Sequence, residues 1–433
     1  MNRKIVLTRK LLILLRVLIA IFVFPVVLVL CIFLKKQRKE LVWGPVPIIN
    51  NKYWSSMMNN AGWSSKTLMK CFYPSINKRE DYDLYFEDLV LKWIWPPRLR
   101  LEVSSYFALL YIIRNASVVH LPFSGGPLGE TPLWRLEAYL FRLAGIRTVL
   151  MPYGADMYVY SQIIDPSLRN GLLLSYPEAA RNEKRIVRRI QYWSYHADII
   201  LNAFMVDSLG RWDALAFNYG CINTDLCDYK TKYSTCDGTV GIVKVMHAPN
   251  HRGVKGTEFL IHAVEELKKE GLKIDLVLLE KVPNDKVLEL MQEMDILADQ
   301  FICTGYGLAA IEGMASGLPV MCNLEHEAYT RMFRRYSYLN ECPIVSTSPE
   351  TIKQNLKVLI TNPELREQLG MAGRTYVEKY HSYETGKYIF GSIYDKILHG
   401  KDVDLMNLFH PLKSEYNKQK PLVKHPLVEN RLT

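Results

Sequence analysis

Two short stretches bring together residue types that suit an anion and a diol. The first is the loop His247–Thr257, which carries Arg252 and Lys255 and then Gly256. A guanidinium can hold a phosphate through two parallel bonds, and an ammonium acts on it as a point charge. The second runs Thr304-Gly305-Tyr306-Gly307-Leu308 and continues to Glu312. Its glycines precede an apolar run, so a helix N-terminus is expected there, with free backbone N–H groups and a positive dipole end. That arrangement suits an anion or a row of sugar hydroxyls. Glu312 falls about one and a half turns into the expected helix. A carboxylate there accepts hydrogen bonds only, so it can grip a diol such as a ribose. Asp156, in Tyr153-Gly154-Ala155-Asp156, reads on its own as a loop-capping aspartate. His120 at a strand end reads more readily as a core histidine. Gly125-Gly126 reads as a simple turn or a close approach to substrate, and Glu280 borders the same crevice as the first loop. Taken singly, the basic loop would be a solvated surface and the glycine stretch an ordinary helix–strand unit.

These residues need elements to hold them. Leu308, Ile311, Met314 and Ala315 have helical spacing, Gly317 is a natural left-handed helix end, and Leu318–Met321 reads as a buried strand. Upstream, Thr239–Met246 reads as a strand, the basic loop follows, and an amphipathic helix runs to Lys269, ended by Gly271. Ile274–Leu279 is the next strand, Asn284–Met294 a helix, and Ile296–Ala298 the start of another strand. The N-terminal half alternates in the same way. Strands are expected at Glu40–Trp43, Ser65–Cys71, Ser117–Leu121, Arg147–Met151 and Ala197–Leu201, with helices over Asn51–Ala61, Leu99–Ile113 and Pro132–Leu143. Alternating strands and helices imply parallel sheets with ligands at the C-terminal strand ends. Residues 349–360, 363–378 and 380–398 are expected to be helical.

The ordered string Gly305-Tyr306-Gly307-Leu308, Glu312 and Gly317-Leu318-Pro319-Val320 resembles the donor-binding signature of the retaining glycosyltransferases of family 4. Arg252 and Lys255-Gly256 match the segment that faces the donor pyrophosphate in that family, where fixed cations stabilise the departing nucleoside diphosphate. Gly154 and Asp156 match a His-Gly-x-Asp segment, with Tyr153 in place of the His. Thr304 stands where the signature has its first Glu. The resemblance implies a GT-B fold, α/β with two Rossmann-like domains facing a cleft. It assigns Arg252, Lys255 and Asp156 to catalysis, and Gly256, Thr304, Gly305, Tyr306, Gly307, Leu308 and Glu312 to the donor. It implies a nucleotide sugar as donor substrate, no further cofactor and no bound metal. The acceptor it suggests is a membrane-associated, lipid-linked saccharide, as in cell-surface polysaccharide synthesis. A membrane-anchored scaffold with a degenerate site is the rival reading, favoured by Thr304 and Tyr153; a sugar-nucleotide epimerase is a third.

Length and composition agree with two domains. The chain has 433 residues, 49% of them hydrophobic and 23% charged, with a net charge of +10. That excess suits an anionic membrane surface or phosphorylated substrates, and no arginine-rich arm points to nucleic acid. The eight cysteines form no C-x-x-C pair and read as free thiols of a reducing compartment. The spacing of Cys221, Cys227 and Cys236 is wrong for common zinc knuckles. Leu11–Leu34 is almost continuously apolar, long enough for the ~20 residues that span a bilayer. Arg16 and Pro25 within it leave a kinked or one-leaflet anchor open, and basic residues on both flanks give no orientation. The expected organisation is an anchor over 1–40, an acceptor domain over 41–223 and a hinge over 224–238. A donor domain over 239–379, a crossover helix over 380–400 and a loosely ordered tail over 401–433 complete it. The globular domains are expected on the cytoplasmic side.

Overall fold

Short apolar runs separated by amphipathic helices leave this chain few ways to bury its strands. A strand hydrophobic along its whole length needs cover on both faces, which parallel sheets with flanking helices supply. The computed structural model describes residues 3–33, 36–74, 77–91, 97–202, 207 and 210–432. Leu34 and Lys35, the end of the expected anchor and the start of its basic flank, lie outside the described residues. Two compact units form. One comprises Met1–Met157, Lys184–Leu201 and Gly210–Trp212; the other comprises Tyr158–Glu183, Asn202–Leu209 and Asp213–Thr433.

The first part of the chain gives α1 (Arg3–Phe33), β1 (Glu40–Trp43), α2 (Ile49–Asn60), β2 (Ser64–Met69) and β3 (Leu84–Tyr85). It continues with α3 (Pro97–Asn115), β4 (Ala116–Leu121), α4 (Glu137–Ala144) and β5 (Arg147–Leu150). Next come α5 (Pro166–Ser175) and α6 (Pro177–Arg181), which belong to the second unit, then α7 (Glu183–His196) and β6 (Ile199–Ile200). The six strands are parallel in the order β3-β2-β1-β4-β5-β6, with Leu41 opposite Ser65 on one side and Val118 on the other. This is a doubly wound order whose direction reverses between β1 and β4. The expected helix over Pro132–Leu143 starts later, at Glu137, because a short 3₁₀ turn takes up Trp134–Leu136.

The N-terminal helix α1 is docked. Arg16 donates to both oxygens of Glu102 on α3, at 2.8 and 3.1 Å. Beyond the helix end, the Gln37 amide donates to the carbonyl of Arg114, the penultimate residue of α3, at 2.7 Å. The two helices therefore run side by side in the same direction. Ile19, Ala20, Val27 and Cys31 form the buried stripe of α1, while Ile21, Phe22, Val26, Ile32 and Phe33 are exposed. Residues Arg16–Phe33 have the length and apolarity to cross a membrane.

The second unit contains β7 (Val243–His247), α8 (Arg252–Lys255), α9 (Thr257–Lys269), β8 (Ile274–Leu278), α10 (Asn284–Met291) and β9 (Ile296–Gln300). It goes on through α11 (Leu308–Ala315), β10 (Val320–Cys322), α12 (Glu327–Tyr336) and β11 (Val345–Ser346). Its last helices are α13 (Ile352–Thr361), α14 (Pro363–Tyr380), α15 (Tyr383–His399) and α16 (Glu415–Gln419). The five-stranded sheet has the order β11-β10-β9-β7-β8, so its direction reverses between β7 and β9. Strand β7 starts at Val243, later than the expected Thr239, because Asp237 holds Thr239 and Val240 in a turn.

Two irregular segments are held by long-range contacts. The polar stretch Asn223–Gly238 has no periodicity of its own, yet arginines hold its backbone. Buried Arg366 donates to the carbonyls of Ser234 and Cys236, and Arg374 to those of Thr224 and Cys227. The tail is not loose either. Leu405, Leu408, Phe409, Val423 and Leu427 are buried. Buried Asn430 donates to the carbonyl of Cys342, and its own carbonyl accepts from the amide of Ser346. Cys221, Cys227 and Cys236 do not converge: the first two donate to nearby carbonyls and Cys236 packs against Gly241.

Candidate active site

The basic loop leaves the C-terminal end of β7 and the glycine stretch leaves the C-terminal end of β9. These are the two neighbouring strands at which the second sheet reverses, the place where open α/β sheets leave a crevice. The loops are joined backbone to backbone. The Phe301 amide donates to the Lys255 carbonyl at 3.1 Å, and the Cys303 amide to the Val254 carbonyl at 3.3 Å. Gly256 makes this approach feasible. It has φ +72°, and a Cβ there would lie 3.1 Å from the Cβ of Phe301. Helix α5 braces the pair from behind through a small-residue contact; a Cβ on Gly171 would meet Ile302 at 2.9 Å and the Gly253 carbonyl at 3.3 Å.

Arg252 and Lys255 sit in different surroundings. The Arg252 side chain is 39% exposed and bridges Glu258 at 2.8 Å and Glu280 at 3.2 Å. Those two hydrogen bonds hold its pKa above the ordinary arginine value. Lys255 is 16% exposed; it is ion-paired with buried Asp299 and donates to Gln300 Oε1 at 3.0 Å. Burial opposes its charge, but the Asp299 carboxylate outweighs burial and leaves the ammonium pKa raised. Arg252 is thus a cation on weak surface tethers, and Lys255 is a fixed one.

On the second loop, Gly305 has φ +104° and its amide donates to the Asn323 carbonyl at 2.8 Å. Gly307 is the N-cap of the eight-residue helix α11 and provides no side-chain cap, so the first-turn N–H groups remain available to a ligand. Leu308 opens that helix. Glu312 is buried on α11 and accepts from Asn284 Nδ2 at 3.1 Å. Thr304 is only 1% exposed, and its hydroxyl has no hydrogen-bond partner. The Tyr306 side chain is turned into the core. Its ring is fully buried, and its hydroxyl lies 2.7 Å from that of Tyr376 and 2.8 Å from His381 Nε2. Only the backbone of Tyr306 is left for a ligand.

Asp156 lies in the first unit, apart in the chain's division from Arg252, Lys255 and the glycine stretch. Its carboxylate accepts from the amides of Phe123 at 2.6 Å and Tyr153 at 3.1 Å, the geometry of a loop cap. Burial pushes its carboxyl up to about 7 against the pull of those bonds. His120 is a core residue: its ring stacks 3.5 Å from that of Trp43, and burial lowers its pKa to about 3. The Gly125-Gly126 turn is fastened by buried Glu137, which accepts from the amides of Gly126 and Leu128.

Sequence reasoning missed Asp299, Gln300 and Asn284. Asp299 and Gln300 close an apolar strand, and a carboxylate at a parallel-strand end was the available signal. Asn284 follows Pro283 at a helix start, where the side chain reads first as a cap.

Residues 256–376 match the family described as "Glycosyl transferases group 1". No curated protein matches the chain. Among solved structures, sucrose-phosphate synthase from Thermosynechococcus elongatus is similar at TM-score 0.53 and 12% identity, over 84% of this chain and 100% of that one. A glycosyltransferase from Rickettsia africae ESF-5 is similar at TM-score 0.46 and 13% identity, again over 84% and 100%. An α,α-trehalose 6-phosphate synthase from Burkholderia multivorans gives TM-score 0.48 and 10% identity over 84% and 99%. The matched domain and the two-sheet α/β fold support a GT-B glycosyltransferase.

Proposed function

We propose that this protein transfers a sugar from a nucleotide-sugar donor to a membrane-associated, lipid-linked saccharide, with retention at the anomeric carbon. The observation that carries the reading is the hydrogen-bonded pair of loops after β7 and β9, on which Arg252, Lys255 and Gly305–Gly307 lie, with Leu308 and Glu312 on the helix that follows. In this reading Glu312, held by Asn284, takes the ribose hydroxyls. The free N–H groups of α11 and the Lys255 ammonium take the diphosphate. Arg252 leaves its two glutamates to meet the charge that develops on the departing phosphate. Surface ion pairs contribute little, so releasing them costs little, whereas a fixed cation aimed at a developing charge lowers the barrier substantially. Two cations and a helix terminus perform the task that a divalent ion performs elsewhere, and the proposed enzyme needs no metal. Thr304 contributes a neutral hydroxyl towards the sugar where the resembled signature has a carboxylate.

The membrane reading rests on α1. Its stripe along α3 and the Arg16–Glu102 pair hold one side of the helix to the first unit over much of its length, while the remaining apolar faces are bare. A helix docked in this way suits an anchor embedded alongside the unit in one leaflet better than a free bilayer crossing. The deciding experiment uses full-length protein in detergent. A panel of nucleotide sugars is screened for thermal stabilisation, and the stabilising donors are offered with extracted lipid acceptors. Donor-dependent glycosylation of a lipid fraction is expected. Binding without turnover across all acceptors would favour the scaffold reading.

A further inference from the structure

The first unit holds a recess of about 410 Å³, and five of its ten lining residues are arginine. Arg16 comes from α1, Arg135 from the turn before α4, and Arg185, Arg188 and Arg189 from one face of α7, with Trp134 among them. Five guanidinium groups around one cavity repel each other, and the local carboxylates offset them only in part, buried Glu137 acting on Arg189. Glu102 is taken by Arg16, and Glu130 at the rim is paired with Lys70. Arg135 and Arg189 both stack on the Trp134 ring, at 4.4 and 3.6 Å from its centre. Arg189 is only 6% exposed. Its Nη2 donates to the Gly129 carbonyl, while its Nη1 is buried with no hydrogen-bond partner. A buried charged donor without an acceptor is costly to the fold. An anion in the recess would satisfy it and relieve the repulsion.

The surroundings tell which anion. Arg16 stands on the apolar helix, and its neighbours Leu14, Val17, Leu18 and Ile21 are all exposed. The recess therefore opens beside a bare hydrophobic surface. A soluble anion has no use for that surface, whereas a phosphate carried on an acyl or prenyl chain needs both parts. Guanidinium forks suit phosphate oxygens, and an apolar helix beside them suits the chain.

We propose that the Arg16–Arg135–Arg185–Arg188–Arg189 recess binds the phosphate or diphosphate that links the acceptor saccharide to its membrane lipid. This inference rests on the transferase reading and adds the place where the acceptor's head group is held.

The test uses full-length protein in dodecyl maltoside and three probes in calorimetric titrations: farnesyl diphosphate, inorganic pyrophosphate and farnesol. Farnesyl diphosphate should bind tighter than pyrophosphate, and farnesol should bind weakly. Arg185 and Arg188 are exposed, so R185Q/R188Q should fold and lose about ten-fold or more in affinity for farnesyl diphosphate. R331Q/R335Q on α12, with the same loss of charge, should not. Unchanged affinity in R185Q/R188Q, or an equal loss in R331Q/R335Q, would overturn the proposal. So would pyrophosphate binding as tightly as farnesyl diphosphate, which would make the recess a soluble-anion site. Donor hydrolysis by the wild-type protein is followed in parallel. Its absence, with farnesyl diphosphate binding intact, sinks the transferase reading and reduces the recess to a lipid-phosphate site without an acceptor role; hydrolysis without that binding sinks the recess alone.

Discussion

Arg252 and Lys255 are three positions apart on one short helix, yet the same substitution should affect them differently. Removing Arg252 frees two exposed glutamates, which water can solvate, so Arg252→Ala should melt near the wild-type temperature. Its turnover should fall by about 10²–10³-fold, as when a preorganised donor to a developing negative charge is lost. Removing Lys255 strands the 97%-buried Asp299 carboxylate. An unpaired buried charge costs about 3–5 kcal/mol, so Lys255→Ala should lose stability as well as rate. Denaturant titration beside steady-state kinetics separates the two; equal stability in both variants would show that Lys255 is not held as described. Thr304 gives a converse test. Its hydroxyl is buried without a partner, so Thr304→Val removes an unsatisfied group at nearly constant shape and should leave the melting temperature unchanged or raise it. If that hydroxyl meets the transferred sugar, kcat/KM for transfer should fall while nucleotide affinity holds. Unaltered transfer would take Thr304 out of the site.

At the scale of elements, much of the second unit was legible because its signals were local and redundant. Gly256, Gly305 and Gly317 all adopt positive φ, and each stands at a loop or helix end that its neighbours also mark. Leu308–Ala315 was readable from its apolar spacing, and the basic loop from its place between a strand and an amphipathic helix. Helices α5, α6 and α7 went unread. Asp165 caps α5 and Pro166 opens it, but α7 is dense in arginine and aromatic residues, and its buried face includes Arg189. A periodicity search that counts arginine as surface does not see that stripe. The tail was misread for a related reason. Its buried residues are dispersed among Lys, Pro and Asn, and what orders them is contact with distant segments such as Glu341, which accepts from the Val423 amide. No window of local sequence contains that partner. The docking of α1 was equally invisible, since Arg16 and Glu102 are far apart in the chain. It leads to a further expectation: full-length protein should stay with membranes through a high-salt wash. Release by salt alone would show that the basic flanks, not the apolar faces, attach it.

For the molecule as a whole, the two parallel sheets and the matched domain support glycosyl transfer of the GT-B type, and the cations of the second unit account for the proposed leaving-group chemistry. If Arg252, Lys255 and the start of α11 neutralise the diphosphate, turnover should survive dialysis against EDTA with little change in kcat. Loss of activity that magnesium or manganese restores would mean that these groups do not suffice, and a metal step would have to be added to the proposed mechanism.

The tethering of Arg252 has one more consequence, for the speed of encounter. Arg252 and Lys255 already face Glu258, Glu280 and Asp299, so these two cations add no excess positive charge to steer an approaching nucleotide. Long-range steering accelerates association only where a positive field reaches into solvent, and salt then slows it steeply. Stopped-flow association of a nucleotide sugar should therefore be nearly flat in ionic strength. A steep fall would reveal an outward field that these pairings do not leave.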